Sequence, residues 1–246
     1  MTIWILFKAN LKIIIRDKKG FFWSLILPAG LYIALSFLPL DSLAGFQIKY
    51  STYLLPGIIA MTIMQSGIYS LAYWMVDLKS RGVVKRLQVT PLKKNELVLS
   101  LLMARTLVMF IQVLFLTFIG VVFFKAQFSG NVLLAVILTL LGGFVFLMFG
   151  LLIASFADTY HSAAPMTAGL GLPFIFFGNV FFPLDNLPPS LQQIGNILPL
   201  NYLAEGYRAV YLTPEKLDII YKDIFILFVW AVFMFVLTML VFKFEE

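Results

Sequence analysis

Six apolar runs, each near the length that crosses a lipid bilayer, constrain this chain more than any other feature. A helix needs about 20 apolar residues to span roughly 30 Å of hydrocarbon. The runs cover residues 21–40, 53–76, 97–124, 132–156, 162–182 and 224–242, each bounded by charges or by Pro/Gly/Asn-rich turns. With 61% hydrophobic and 12% charged residues in a chain of 246, one soluble core cannot hide so many apolar side chains. A β-barrel would alternate over segments of roughly ten residues, and the run at 224–242 does not alternate. The expectation is an all-α integral membrane protein with six transmembrane helices.

The charges orient it. If both termini are cytoplasmic, the inner segments hold 13 of the 18 Lys/Arg, and the acidic residues divide six and six. That is the positive-inside pattern of a multi-pass protein of the cell membrane. The net charge of +6 is thereby assigned to topology, and no nucleic-acid partner is expected. Lys8, Lys12, Arg16, Lys18 and Lys19 precede the first run, but that run is long for a signal peptide and no small-residue cleavage site follows. It reads as a retained span. Trp4, Trp23, Tyr73 and Trp74 fall at the inner boundary. Tyr50, Tyr53, Tyr202, Tyr207 and Tyr221 fall at the outer one, as aromatic belts do.

Three segments do not span. Within 1–20, Lys8, Lys12, Arg16 and Lys19 form one helical stripe opposite Ile3, Leu6, Phe7, Ile13 and Ile14, which predicts an interfacial amphipathic helix on membrane lipid. The inner loop 77–96 is basic, yet carries Val83, Val84, Leu87 and Val89. A short helix starting near Gly82 and stopping before Pro91 would present them to a protein surface. The outer segment 183–223 is largely apolar but broken by Pro188, Pro189 and Pro199. Its backbone must be paired internally at membrane depth, so two short re-entrant helices are expected, near 190–198 and 202–211. Glu205 and Arg208, at i,i+3, are expected to pair on the second, at an outer gate with Pro183.

The run Ser80-Arg81-Gly82-Val83-Val84-Lys85-Arg86-Leu87-Gln88-Val89-Thr90-Pro91-Leu92 resembles the cytoplasmic loop of type-2 ABC transporter permeases. The stretch Asn179-Val180-Phe181-Phe182-Pro183-Leu184-Asp185-Asn186-Leu187-Pro188-Pro189, continuing to Leu198-Pro199-Leu200-Asn201-Tyr202 and Arg208, resembles the segment after that family's fifth span. The resemblance covers nearly the whole chain and implies a single permease domain, 1–246. It implies a coupling helix between spans two and three, with Arg81, Gly82, Val83, Val84, Lys85, Arg86, Leu87, Thr90 and Pro91 on the ATPase. It also implies a second permease chain, in a homodimer or heterodimer, and two copies of an ABC ATPase subunit that bind ATP and Mg. The family's acidic residues before the Gly are replaced here by Leu78 and Ser80, and its Thr after the Gly by Val83.

No G-x-x-x-x-G-K-[ST] phosphate loop occurs in these residues, so ATP hydrolysis is expected in a partner and no cofactor in this chain. The absence of cysteine and the single histidine, His161, leave no thiolate nucleophile and no histidine cluster for a metal. Ser155, Asp158 and His161 read as a polar turn. Inside the runs, Gln65, Arg105, Gln112 and Asn179 are the costly residues. Arg105 is expected to snorkel to the inner boundary, and Gln65, Gln112, Asn179, Phe181 and Phe182 to line a substrate path. The leading expectation is the membrane half of an ATP-driven exporter of a hydrophobic or amphipathic antibiotic, peptide or lipid-like molecule. The alternatives are a polysaccharide-exporting permease and an ATP-independent secondary transporter.

Overall fold

The computed structural model describes residues 2–38, 48–83, 86, 94–126, 128, 130–212 and 217–241. The first helix, α1 (Thr2–Arg16), buries Phe7, Asn10 and Ile14 along one face and exposes Lys8, Lys12 and Arg16. It stops one residue before Asp17, whose carboxylate accepts the Gly20 amide at 3.0 Å and so caps α2 (Lys18–Ser36). Lys18 and Lys19 therefore open the second helix instead of closing the first, which shortens the expected 1–20 segment.

The core is built on α3 (Tyr50–Ser80), which is buried almost all round, as a helix enclosed by others must be. Around it lie α2, α4 (Lys94–Phe124), α5 (Val132–Phe156) and α6 (Tyr160–Phe177). Next come a single 3-10 turn at Leu184–Asn186, α7 (Pro189–Gly195), α8 (Pro199–Leu212) and α9 (Leu217–Val241). Two of the long helices, α3 and α5, pack closely against each other. A side chain at Gly150 would sit 2.5 Å from the Gly67 carbonyl, so only glycine fits that crossing.

Among the described residues five helices, α2, α3, α4, α5 and α9, are long and apolar enough to cross a membrane. Where the fifth span was expected, 162–182, lies the 18-residue α6 (Tyr160–Phe177), which contains Pro165 and Pro173 and starts on polar Tyr160 and His161. Its start is held by a reciprocal capping box between Thr159 and Ser162. It ends at Phe177 because Gly178 and the left-handed Asn179, with φ of 58°, turn the chain.

Contacts sort the helix ends into two sides. At the basic side Lys79 donates to the Ala154 carbonyl at 2.7 Å and lies 3.8 Å from Asp158, joining the ends of α3 and α5. Ser155 bonds back to the Leu151 carbonyl and His161 is exposed, so that turn is a brace. The opposite side gathers the start of α3, the end of α6, α8 and the start of α9. There the tyrosines correct the expected belt. Tyr50, Tyr53 and Tyr207 are buried in the core, while Tyr221 is exposed. Each buried phenol would leave an orphan hydroxyl in lipid, and Tyr53 and Tyr207 bond to Asn179 and Thr139 instead. Rows of Phe and Val on α9, such as Phe225, Phe228, Val232 and Phe235, face outward as lipid-exposed positions do.

Candidate functional site

On the side opposite the basic end, one asparagine organises the polar groups. Asn179 has a left-handed backbone, which Asn tolerates better than other side chains do. Its Oδ1 accepts from the Tyr53 hydroxyl at 2.7 Å, and its Nδ2 donates to Glu205 Oε1 at 3.0 Å. Its carbonyl accepts from Arg208, which also donates to the Val180 carbonyl at 3.1 Å and lies 3.9 Å from the centre of the Tyr53 ring. The turn approaches α3 so closely that a side chain at Gly57 would stand 2.2 Å from the Val180 carbonyl.

This geometry corrects the expected Glu205–Arg208 ion pair. The two charges do not meet within bonding distance; both converge on Asn179. Helical spacing alone puts positions three apart on one face, but the carbonyls of residues 179 and 180 offer the guanidinium a closer partner. Burial raises the Glu205 carboxyl above the usual glutamate range, and Arg208, the Asn179 amide and Lys222 oppose that rise. Burial likewise pulls Arg208 below its ordinary value, against Tyr53 and Glu205.

The cluster borders an open cavity of about 510 Å³, which Pro183, Asp185, Gln192, Lys222 and Asp223 also line. Asp223 is 1% exposed, and its Oδ2 has no hydrogen-bond partner among the described residues. Sequence reasoning missed Asp223 because it sits at the charged boundary before the apolar run 224–242, next to Lys222. Pro183, Asn179, Glu205 and Arg208 thus share one site. Phe182 is exposed and stacks on Tyr50 with ring centres 6.4 Å apart, while Phe181 packs on the core.

The other expected path residues lie elsewhere. Gln65 is partly buried midway along α3. Gln112 is on α4, donating to the Ser24 carbonyl at 3.3 Å, beside a second cavity of about 490 Å³ at the basic end. Arg105 borders that cavity too. It is 9% exposed and lies over the Trp74 ring at 4.9 Å, so it does not snorkel as expected. The α1–α2 elbow covers the route it would take. Asn10 on α1, bonded to Ser100 at 3.1 Å, seals that cover, and nothing in the stripe of apolar and basic residues pointed to it.

Of the expected coupling residues, Arg81, Gly82, Val83 and Arg86 are described. Val84, Lys85, Leu87, Thr90 and Pro91 lie outside the described residues. Arg81 pairs with Asp77 at 2.8 Å, and Gly82, with φ of 66°, ends α3 in the conformation glycine adopts most easily. The Arg86 amide then bonds to the Gly82 carbonyl at 3.1 Å, one helical turn.

The sequence profile of the ABC-2 type transporter family matches residues 1–212. Similar proteins include ABC transporter G family member 20 of Dictyostelium discoideum, 24% identical over 79% of this chain and 26% of that one. The probable multidrug ABC transporter permease YbhR of Escherichia coli K12 is 23% identical over 74% of this chain and 50% of its own length. The inner membrane transport permease YadH of the same strain is 26% identical over 76% of this chain and 75% of its own. The alignments thus span about a quarter, a half and three quarters of those relatives. A match over residues 1–212, on a helical bundle whose described residues include five helices long and apolar enough to cross a membrane, identifies the chain as a multi-pass membrane protein of the ABC-2 type transporter family.

Proposed function

We propose that the chain is the membrane-spanning subunit of an ATP-driven exporter, which moves a hydrophobic or amphipathic compound outward by alternating access. ATP and Mg are bound by a separate ABC ATPase subunit, present in two copies, and a second permease chain completes the path. The observation that carries this reading is the family match together with the length of α3 and α4. Each has 31 residues, or about 46 Å at 1.5 Å per residue, more than a hydrocarbon layer needs. Their surplus length, ending in Ser80 and beginning at Lys94 on the basic side, supports an ATPase contact on that side. Apolar cargo suits the scarcity of charged side chains within the spans, and one relative carries "multidrug" in its name.

Two measurements on cells expressing the transporter test this. Leu87→Asp places a carboxylate in the expected apolar contact, where burial without a partner is unfavourable. It lowers co-purification of the ATPase while membrane insertion is kept; unchanged co-purification and transport defeat the docking assignment. Deleting the transporter raises susceptibility to amphipathic drugs or peptides. Loss of a surface glycan with susceptibility unchanged replaces that cargo with a polysaccharide.

A further inference from the structure

The cavity at the basic end collects buried polar atoms that the protein does not satisfy. Among the described residues, Arg105 Nε, Trp74 Nε1, Gln112 Oε1 and Ser66 Oγ are each buried without a hydrogen-bond partner, on two adjacent helices, α3 and α4. All four residues line the same space. Buried polar atoms in native proteins are nearly always paired, and four orphans around one cavity mark a place where something else supplies the partners.

Their chemistry names the partner. Arg105 is a cation with no carboxylate within 4.0 Å among the described residues. Of the two acids in the cavity wall, Asp77 pairs with Arg81, and Asp17 caps the Gly20 amide and acts on Arg105 only from beyond ion-pair distance. The Trp74 indole can only donate. Gln112 already gives an amide hydrogen to the Ser24 carbonyl, which leaves its buried oxygen as an unpaired acceptor in the cavity wall among the described residues. An acceptor-rich anion beside a hydroxyl fits this set. Ile13, Ile14, Phe21 and Val108 make the rest of the wall apolar, which a free inorganic anion would leave facing water. The cavity also lies under the elbow between α1 and α2, where Lys8, Lys12 and Arg16 stand exposed on a helix suited to an interface.

We propose that this cavity seats the headgroup of an anionic phospholipid drawn from the leaflet on which α1 lies. The phosphate is held by Arg105 and Trp74, and a headgroup hydroxyl donates to Gln112. The site goes beyond the transport reading and does not depend on it, because binding is read without ATPase or cargo.

The test uses the full chain purified in neutral detergent and titrated with dioleoyl phosphatidylglycerol, dioleoyl phosphatidylcholine or inorganic phosphate. Binding is read by intact-complex mass spectrometry and by the shift in melting temperature. The native chain holds phosphatidylglycerol at least about tenfold more tightly than phosphatidylcholine, the value of one charge-assisted hydrogen bond. Arg105→Gln abolishes that preference and Arg105→Lys keeps part of it. An equal preference in native and Arg105→Gln protein overturns the proposal. Inorganic phosphate stabilising the chain as much as phosphatidylglycerol also overturns it, by making the ligand a soluble anion. Should Arg105→Gln fail to fold, a chain with Trp4, Trp23 and Trp230 replaced by Phe leaves Trp74 as sole reporter. Brominated phosphatidylglycerol then quenches its emission more than brominated phosphatidylcholine does, and equal quenching overturns the site.

Discussion

At the scale of single residues, Asn179 concentrates the consequences. It accepts from Tyr53, donates to Glu205 and presents its carbonyl to Arg208 from a left-handed backbone. Asn179→Ala removes two side-chain bonds and strains the turn, a loss of about 2 to 3 kcal/mol. Asn179→Gly relieves the strain alone and recovers about 1 kcal/mol of it. Melting curves in detergent compare the two, and equal losses would remove the backbone from the account. Glu205 adds a pH signature. Its carboxyl is raised by burial, so between the ordinary glutamate value and the raised one the folded chain binds more protons than the unfolded. Stability contributed by this group therefore falls as pH rises through that window and is level above it. Glu205→Gln keeps an oxygen for Asn179 and flattens the slope. A melting temperature with the same pH dependence in both proteins contradicts this.

Between elements, α3 and α5 are held by close contact midway along α3 and by a brace at the basic end. Gly150→Ala drives a methyl to within 2.5 Å of the Gly67 carbonyl, and the helices must separate. A loss of about 1 to 3 kcal/mol follows, measured as earlier unfolding on titration with denaturing detergent. Gly169→Ala, with open space around its Cβ position, is the control and leaves the midpoint unchanged. The break at Pro199 was legible in residue type, although α8 opens on that proline and not near 202, and Gly82, expected to start a short helix, also ends α3. The end of α6 was not legible, because Phe181 and Phe182 continue the apolar run past a turn that exists to meet Arg208.

For the whole molecule, orientation is the open quantity, and the cysteine-free chain allows a clean measurement. Ser80→Cys and Ser190→Cys are both at exposed positions, on opposite sides of the bundle. The basic asymmetry predicts that an impermeant thiol reagent added outside intact cells labels Ser190→Cys and spares Ser80→Cys. Labelling of Ser80→Cys from outside would invert the assignment and move the proposed ATPase contact to the wrong side of the membrane.

The sequence by itself determined that the chain is helical and membrane-embedded, where its apolar runs lie, and which family it resembles. Those follow from local composition and from motifs read along the chain. Tertiary structure decided which polar residues meet. Tyr53, Asn179 and Arg208 are separated by 126 and 29 positions, and the bond between Asn10 and Ser100 by 90. Periodicity places each on a face of its own helix but carries no information on which helix that face will touch. Glu205 and Arg208 share a helix, yet their partner is chosen by the turn packed against it. Arg105, read along its own helix, faces a free path to the boundary, and α1 closes that path only once the bundle has formed.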